Sequence, residues 1–410
     1  MEQKIRYQYT YFIYPYIIPQ NKYAKYVKQL LEDKRCKLQF FDKEKQVELF
    51  DYFLPNIRRQ LFPSFEWNEL KKKKFQEMSK EMQVNVLCQN TCNLFEYQLE
   101  KQIQAKTEDQ DGIFFQIDHI QMVCFSTGIC FLLFKTSLSN SQQLEDILDF
   151  NCKFRKLPGK ETLTEFEKIK IQTDLFENRR QFSELITYLA GNNTSASQFD
   201  INKESFLTYS YVCLDQEYWN ETKPFEELKH LFYKYSNLLP SNYQVSLEEQ
   251  GEINLLSETK YSKIGVSQIG TCLMTSGIDT YNYTKLPYLY ETTYLYTYLF
   301  SLYERIYLKK LNLDYQKASQ TKSVRKEFIH FMQKLGLEEI TNDTKGKIFY
   351  QKEKEILEIQ KLYDKLKERY ALLYKELNIE KTLHINYGIM VVLIVLLLLN
   401  LWLFGTWMSG

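Results

Sequence analysis

The sequence predicts a mixed α/β (α+β) body, then long helices, then one C-terminal transmembrane helix. Three observations lead there. Up to about residue 275, runs rich in Tyr, Phe and Ile alternate with amphipathic helical patterns, the mark of a mixed body. From about residue 289, Gly and Pro become rare and the pattern turns helical. Residues 388–408 carry no charged side chain. About 20 apolar residues at about 1.5 Å each match a hydrocarbon core of about 30 Å.

The elements follow in order. Residues 5–18 read as a strand, 22–33 as a helix and 37–41 as a short strand. Residues 44–61 and 66–83 are amphipathic and charged, interrupted at Pro55 and Pro63. The stretch 113–136 is the strongest β signal. Its two apolar runs flank Ser126, Thr127 and Gly128, a hairpin turn in which glycine supplies a positive φ. Runs this dense suit strands buried on both faces. Helices are expected near 142–150 and 175–190, a long loop or linker at 191–203, a strand at 205–213, a helix near 224–236 and β segments around 262–275. Three helices close the chain: 290–317, 322–335 ending at Gly336, and one that starts near Lys347 and meets no breaker before Gly388. The expected division is a body at 1–285, a long-helix stalk at 286–385 and an anchor at 386–410.

Composition narrows the function classes. The chain has 410 residues, with 53 Lys and Arg against 52 Asp and Glu, a net charge of +1, so it lacks the basic footprint of a nucleic-acid binder. No basic region precedes an uninterrupted apolar stretch at the N-terminus, so no signal peptide is expected. The eight cysteines are scattered without a CxxC and read as reduced, mostly buried thiols.

The third helix carries a seam. Ile356, Ile359, Tyr363, Leu366, Tyr370, Leu373 and Leu377 recur in steps of three and four, with Lys, Glu, Asp and Arg between them. The seam fits packing against the helix at 290–317, and it equally fits packing against copies of itself. In the expected span, Gly388 and Asn400 are the candidate packing or pore residues, because an amide in hydrocarbon seeks an interhelical partner. Trp402 and Trp407 are the expected interface anchors, and Lys375 and Lys381 precede the span. These features place the body in the cytosol and the chain in a membrane, most simply a bacterial inner membrane, as a single-pass, tail-anchored protein.

Catalytic signals are weak. His119, His230, His330 and His384 have no metal-ligand spacing, and GxSxG, GxGxxG and P-loop patterns are missing. His119 beside Asp118 reads as a satisfied sheet histidine. The run Glu108, Asp109, Gln110, Asp111 could gather a divalent cation or lie solvated in a loop. Cys88 and Cys92, four apart, read as core thiols. The tyrosines of 283–307 could stack on a nucleotide-like ligand or fill a core. The expectation is therefore no enzyme and no cofactor, with the cation and the nucleotide-like ligand as the open alternatives.

The helix at 293–311, the stalk at 356–377 and the span from Gly388 together resemble the CorA-type magnesium channel family in architecture. That family's second span and Gly-Met-Asn motif are absent. The nearest echo, Asn386, Tyr387, Gly388, Ile389 and Met390, is in another order, so no filter residue carries over. The resemblance implies a homo-oligomer whose body senses a small-molecule ligand or protein partner and whose stalk moves membrane helices. Ion flux or membrane disruption, as in a stress or defence effector, would follow. The alternative is a non-conducting anchored scaffold that recruits a partner.

Overall fold

The computed structural model describes residues 3–98, 103–107, 114–138, 143–155, 169–172, 180–191, 194–195, 206–251, 255–315, 325–329, 331 and 339–408. The strands are β1 (Ile5–Ile17), β2 (Cys36–Leu38), β3 (Cys92–Tyr97), β4 (Ile103–Thr107), β5 (Phe114–Phe125), β6 (Ile129–Ser137), β7 (Ile169–Gln172), β8 (Arg180–Gln181), β9 (Thr194–Ser195), β10 (Leu207–Leu214), β11 (Leu255–Leu256), β12 (Ser262–Ser267) and β13 (Gly270–Ser276). These thirteen form one sheet, with the main path β11-β12-β13-β10-β1-β6-β5-β4-β7-β8. β3 joins β2 to β5, and β9 pairs with the end of β1. The described pairings are antiparallel except β10 with β13. β1 lies between β6 and β10, so strands from both sides of 191–203 share the sheet.

Helices cover both faces. They are α1 (Gln20–Glu32), α2 (Val47–Tyr52), α3 (Pro55–Leu61), α4 (Glu69–Glu77), α5 (Lys80–Gln89), α6 (Leu144–Phe154), α7 (Phe182–Ala190), α8 (Lys229–Ser236), α9 (Leu247–Gly251), α10 (Tyr281–Thr284), α11 (Leu286–Leu289) and α12 (Leu295–Asp314). α13 (residues 325–329), α14 (Thr344–Ile356) and α15 (Ile359–Met408) follow. Strand alternation splits the core into two. Tyr9, Tyr11 and Ile13 of β1, Phe131 and Leu133 of β6, and Tyr209 and Tyr211 of β10 pack under α2, α3, α12, α14 and the start of α15. Phe12 and Tyr16, Leu132 and Phe134, and Val212 and Leu214 pack under α1, α5, α6, α7 and α8. The central strands are buried on both sides, which explains their unbroken apolar runs.

Local signals explain several boundaries. Asn68 caps α4 by accepting from Lys71 N, Ser79 caps α5 by accepting from Met82 N, and Asp343 caps α14 by accepting from Gly346 N. Met78 and Ser79, both extended, separate α4 from α5, so 66–83 is not one helix. Residues 44–61 divide at Pro55 into α2 and α3. Phe53 leaves α2 to bridge Thr341, Leu54 N donates to Ile340 O at 2.9 Å, and Pro55 opens α3.

The turn between β5 and β6 holds Gly128 at φ +87°, and its carbonyl accepts from Ile18 N at 2.8 Å. A Cβ there would overlap the Ile18 carbonyl oxygen. Gly128→Ala should therefore cost more than about 1 kcal/mol, from both the positive φ and the overlap. Urea unfolding measures this, and an unchanged midpoint would refute the assignment.

Two expectations for the C-terminal region are corrected. The helix from Lys347 is not continuous. Glu358 adopts φ +55° between α14 and α15, with Leu357 N donating to Glu353 O and Glu358 N to Glu355 O. Leu357 is buried, and that anchoring turns the chain where no Gly or Pro stands. The second correction concerns the transmembrane anchor at 386–410. Among the described residues, no helix is long and apolar enough to cross a membrane. Helix α15 begins with a charged stretch that includes Lys361, Asp364, Lys365, Lys367 and Glu368. The fold class is thus the mixed α/β architecture without that span. The membrane, single-pass, tail-anchored and inner-membrane placement falls with it.

Candidate functional site

The long helix α15 has two parts. In the first, the seam packs inside the chain. Ile359 and Leu366 are buried, and Tyr363 and Tyr370 are half-buried against the same core. Phe328 of α13 meets the Tyr363 ring at 6.0 Å and the Tyr370 ring at 5.5 Å. Arg369 donates to Asn312 at the end of α12. Ile356 belongs to α14, on the far side of the Glu358 turn. The side chains of Leu373 and Leu377 lie outside the described residues, as do those of Asn400, Trp402 and Trp407.

In the second part, α15 carries no described covering. Ile385, Tyr387 and every residue of 389–397 are exposed, each by about half or more. A Cβ on Gly388 would meet nothing within 4 Å. Nine consecutive positions cover more than two turns, so apolar groups face all directions. A helix that is apolar all round is stable in water only when something covers it.

On the body, a polar row crosses the sheet at one end of the α12 face. His119, Lys135, Tyr11 and Tyr209 are cross-strand neighbours on β5, β6, β1 and β10. His119 Nε2 lies 3.0 Å from Glu96 Oε1. Lys135 Nζ lies 2.7 Å from both oxygens of Glu291, which also accepts from the Tyr11 hydroxyl. Glu291 stands in a π turn, Tyr290–Tyr294, and such turns recur at functional sites. Burial and then the Glu291 charge push the Tyr11 phenol well up, so it remains a donor. Acids and bases here satisfy one another, and the row clamps the π turn to the sheet.

The remaining candidates are placed as follows. Asp118 accepts from Ser137 Oγ at 2.7 Å, and His230 lies on α8, where burial and then Lys234 push it down. The acidic run at 108–111 and His330 lie outside the described residues, as does the His384 side chain. All eight cysteines are free. Burial raises the Cys88 thiol, pushes Cys92 well up and brings Cys213 to about 11. Among the described residues, no group of three or more His, Cys, Asp or Glu could hold a metal. Most tyrosines of 283–307 are core: Tyr290 stacks on Tyr209 at 4.2 Å and Tyr303 on Phe125 at 3.7 Å, while Tyr288 is exposed. A small depression, with room of about 20 Å³, lies between β3, α5 and the Pro63–Glu66 turn. Its polar groups are engaged, Asn90 with Asn93, Asn93 with Leu87 O and Ser64 Oγ with Phe41 N.

Sequence reasoning missed a buried polar layer between α12 and α14. Glu304, Arg305 and Glu353 are all fully buried. The signal for the first two was present, since Glu304 and Arg305 are the only charged residues in the Tyr- and Leu-rich stretch 295–308. Glu353 gave none, because it sits in a Lys-Glu alternation that reads as a solvated face.

No protein-family model, curated protein or solved structure matches this chain.

Proposed function

We propose that this is a non-catalytic assembly protein, in which the outer part of α15 pairs with the same helix of a second copy. The observation that carries this reading is the uncovered apolar helix at 385–397. The spacing within it favours a copy of the chain as the occupant. Asn386 and Asn400 are two heptads apart, and Ile389, Leu393 and Leu396 lie on the stripe between them in steps of three and four. A single asparagine in such a seam fixes register and orientation, because it leaves its amide unpaired unless it meets its own counterpart. Identical helices meet these amides in register in a symmetric, parallel pair. The body and the seam of 359–370 are then the platform that holds the helix.

The test compares the mass of the full-length chain with that of a chain ending at Lys381. The full-length chain should be a dimer or larger, and the shorter one a monomer. Leu393→Asp should also give a monomer, since it buries a charge in the stripe. A full-length chain that stays single, bare or carrying only lipid or detergent, overturns the reading. So does a shorter chain that assembles equally well.

A further inference from the structure

The layer between α12 and α14 contains two carboxyl groups that no described cation pairs directly. Glu304 Oε2 accepts from the Tyr350 hydroxyl at 2.8 Å. Glu353 Oε1 lies 3.5 Å from Thr271 Oγ1, and its other oxygen has no hydrogen-bond partner among the described residues. Tyr350 and Glu353 share the inner face of α14 with Phe349, while Ser301, Glu304 and Arg305 share one side of α12. Directly after α14 comes the break at Glu358, the one point in residues 344–408 where a helix ends and another begins.

We propose that α14 is a proton-held latch: it stays on α12 and β13 while Glu304 and Glu353 are neutral, and losing the Glu304 proton lifts it. The Glu358 turn lets α14 move without unwinding α15. This movement does not depend on whether α15 joins copies of the chain.

The surroundings of each acid favour its neutral form. Glu304 faces Tyr350 and Lys354 from α14 and has Tyr303 and Arg305 beside it on α12. Burial dominates and pushes Glu304 up to about 8, with Lys354 and then the Tyr350 hydroxyl pulling the other way. Glu353 faces Ser301 of α12 and Thr271 of β13, and its charge would act on Tyr52, Tyr209, Tyr290 and Tyr350. Burial pushes it well up, against those two hydroxyls. Arg305 directs Nη1 to Gln268 O at 3.4 Å and acts on Glu358 beyond the break. Ionising Glu304 in place would leave a charge buried beside a phenol, and exposing α14 is the available escape.

Hydrogen exchange by mass spectrometry on the full-length chain at pH 6 and pH 9 tests this, with each rate divided by its intrinsic chemical rate. Peptides of 344–356 should exchange about tenfold faster or more at pH 9, with β5 and β6 unchanged. The double variant Glu304→Gln, Glu353→Gln should stay slow at both values. Equal scaled rates in 344–356 overturn the latch, and so does opening that occurs only together with β5 and β6. A double variant that still opens at pH 9 overturns it as well. Should that variant not fold, the contrast between 344–356 and the central strands in the unaltered chain decides the matter.

Discussion

Tyr303→Ala should cost roughly 3–5 kcal/mol of stability, the range for deleting a fully buried aromatic ring. Tyr303 stands on the inner face of α12 and is completely buried. Its ring lies 3.7 Å from that of Phe125 on β5, with planes 6° apart, and it also faces Tyr307 at 5.8 Å. Removing it leaves a void between a rigid sheet and a helix that cannot close on it, because α14 and α15 hold α12 from outside. Tyr303→Phe keeps the ring and should stay within about 1 kcal/mol of the parent. Urea unfolding of both variants measures the difference. A Tyr303→Ala midpoint close to the parent's would mean that α12 is not the core helix of this face.

Glu304→Gln should stabilise the protein at pH 8 and leave it unchanged at pH 4. The carboxyl titrates near 4.5 in the unfolded chain and at about 8 in the folded one. Below 4.5 both states hold the proton and there is no effect. Between the two values the unfolded chain has released it and the folded chain has not, so rising pH favours unfolding. The slope is about 1.4 kcal/mol per pH unit, and the whole interval amounts to a loss on the order of 4 kcal/mol. Glutamine, neutral at every pH, removes that dependence. Melting curves of parent and variant at pH 4 and pH 8 give the comparison, and other titrating groups cancel in the difference. A gap that is the same at both values would show that Glu304 does not titrate in this range.

Much of the body could be read from the sequence, because burial on two faces writes itself into the strands. The hairpin around Gly128 and the strand near 205–213 stand out as apolar runs bounded by breakers. The breaker-free stretch from 290 corresponds to the π turn and α12. Sheet order could not be read in the same way. The placement of β1 between β6 and β10 depends on pairings with segments far along the chain, which no local pattern encodes. The seam was visible, but its partner was not: steps of three and four fit an intramolecular neighbour as well as a second copy, and Leu366 turned out to be buried within the chain. The turn at Glu358 left no trace, since a Lys-Glu-Ile-Leu composition favours continued helix and only the burial of Leu357 opposes it. Local hydropathy alone also suggested a span, which the described part of α15 does not provide.

The central position of β1 has a consequence for how the chain is made. Translation delivers this strand before either of its neighbours: Thr10 meets its partner Thr136 only 126 residues later, and the β10 side later still. Until then, a thirteen-residue ribbon rich in Tyr and Ile has both edges open and both faces uncovered. The nascent polypeptide therefore leaves the ribosome with that ribbon unprotected, and β1 can be closed on both edges only after residue 214 has emerged. Yield in a cell should depend on the holdase chaperones that shield that ribbon during synthesis, more than on the final stability of the sheet.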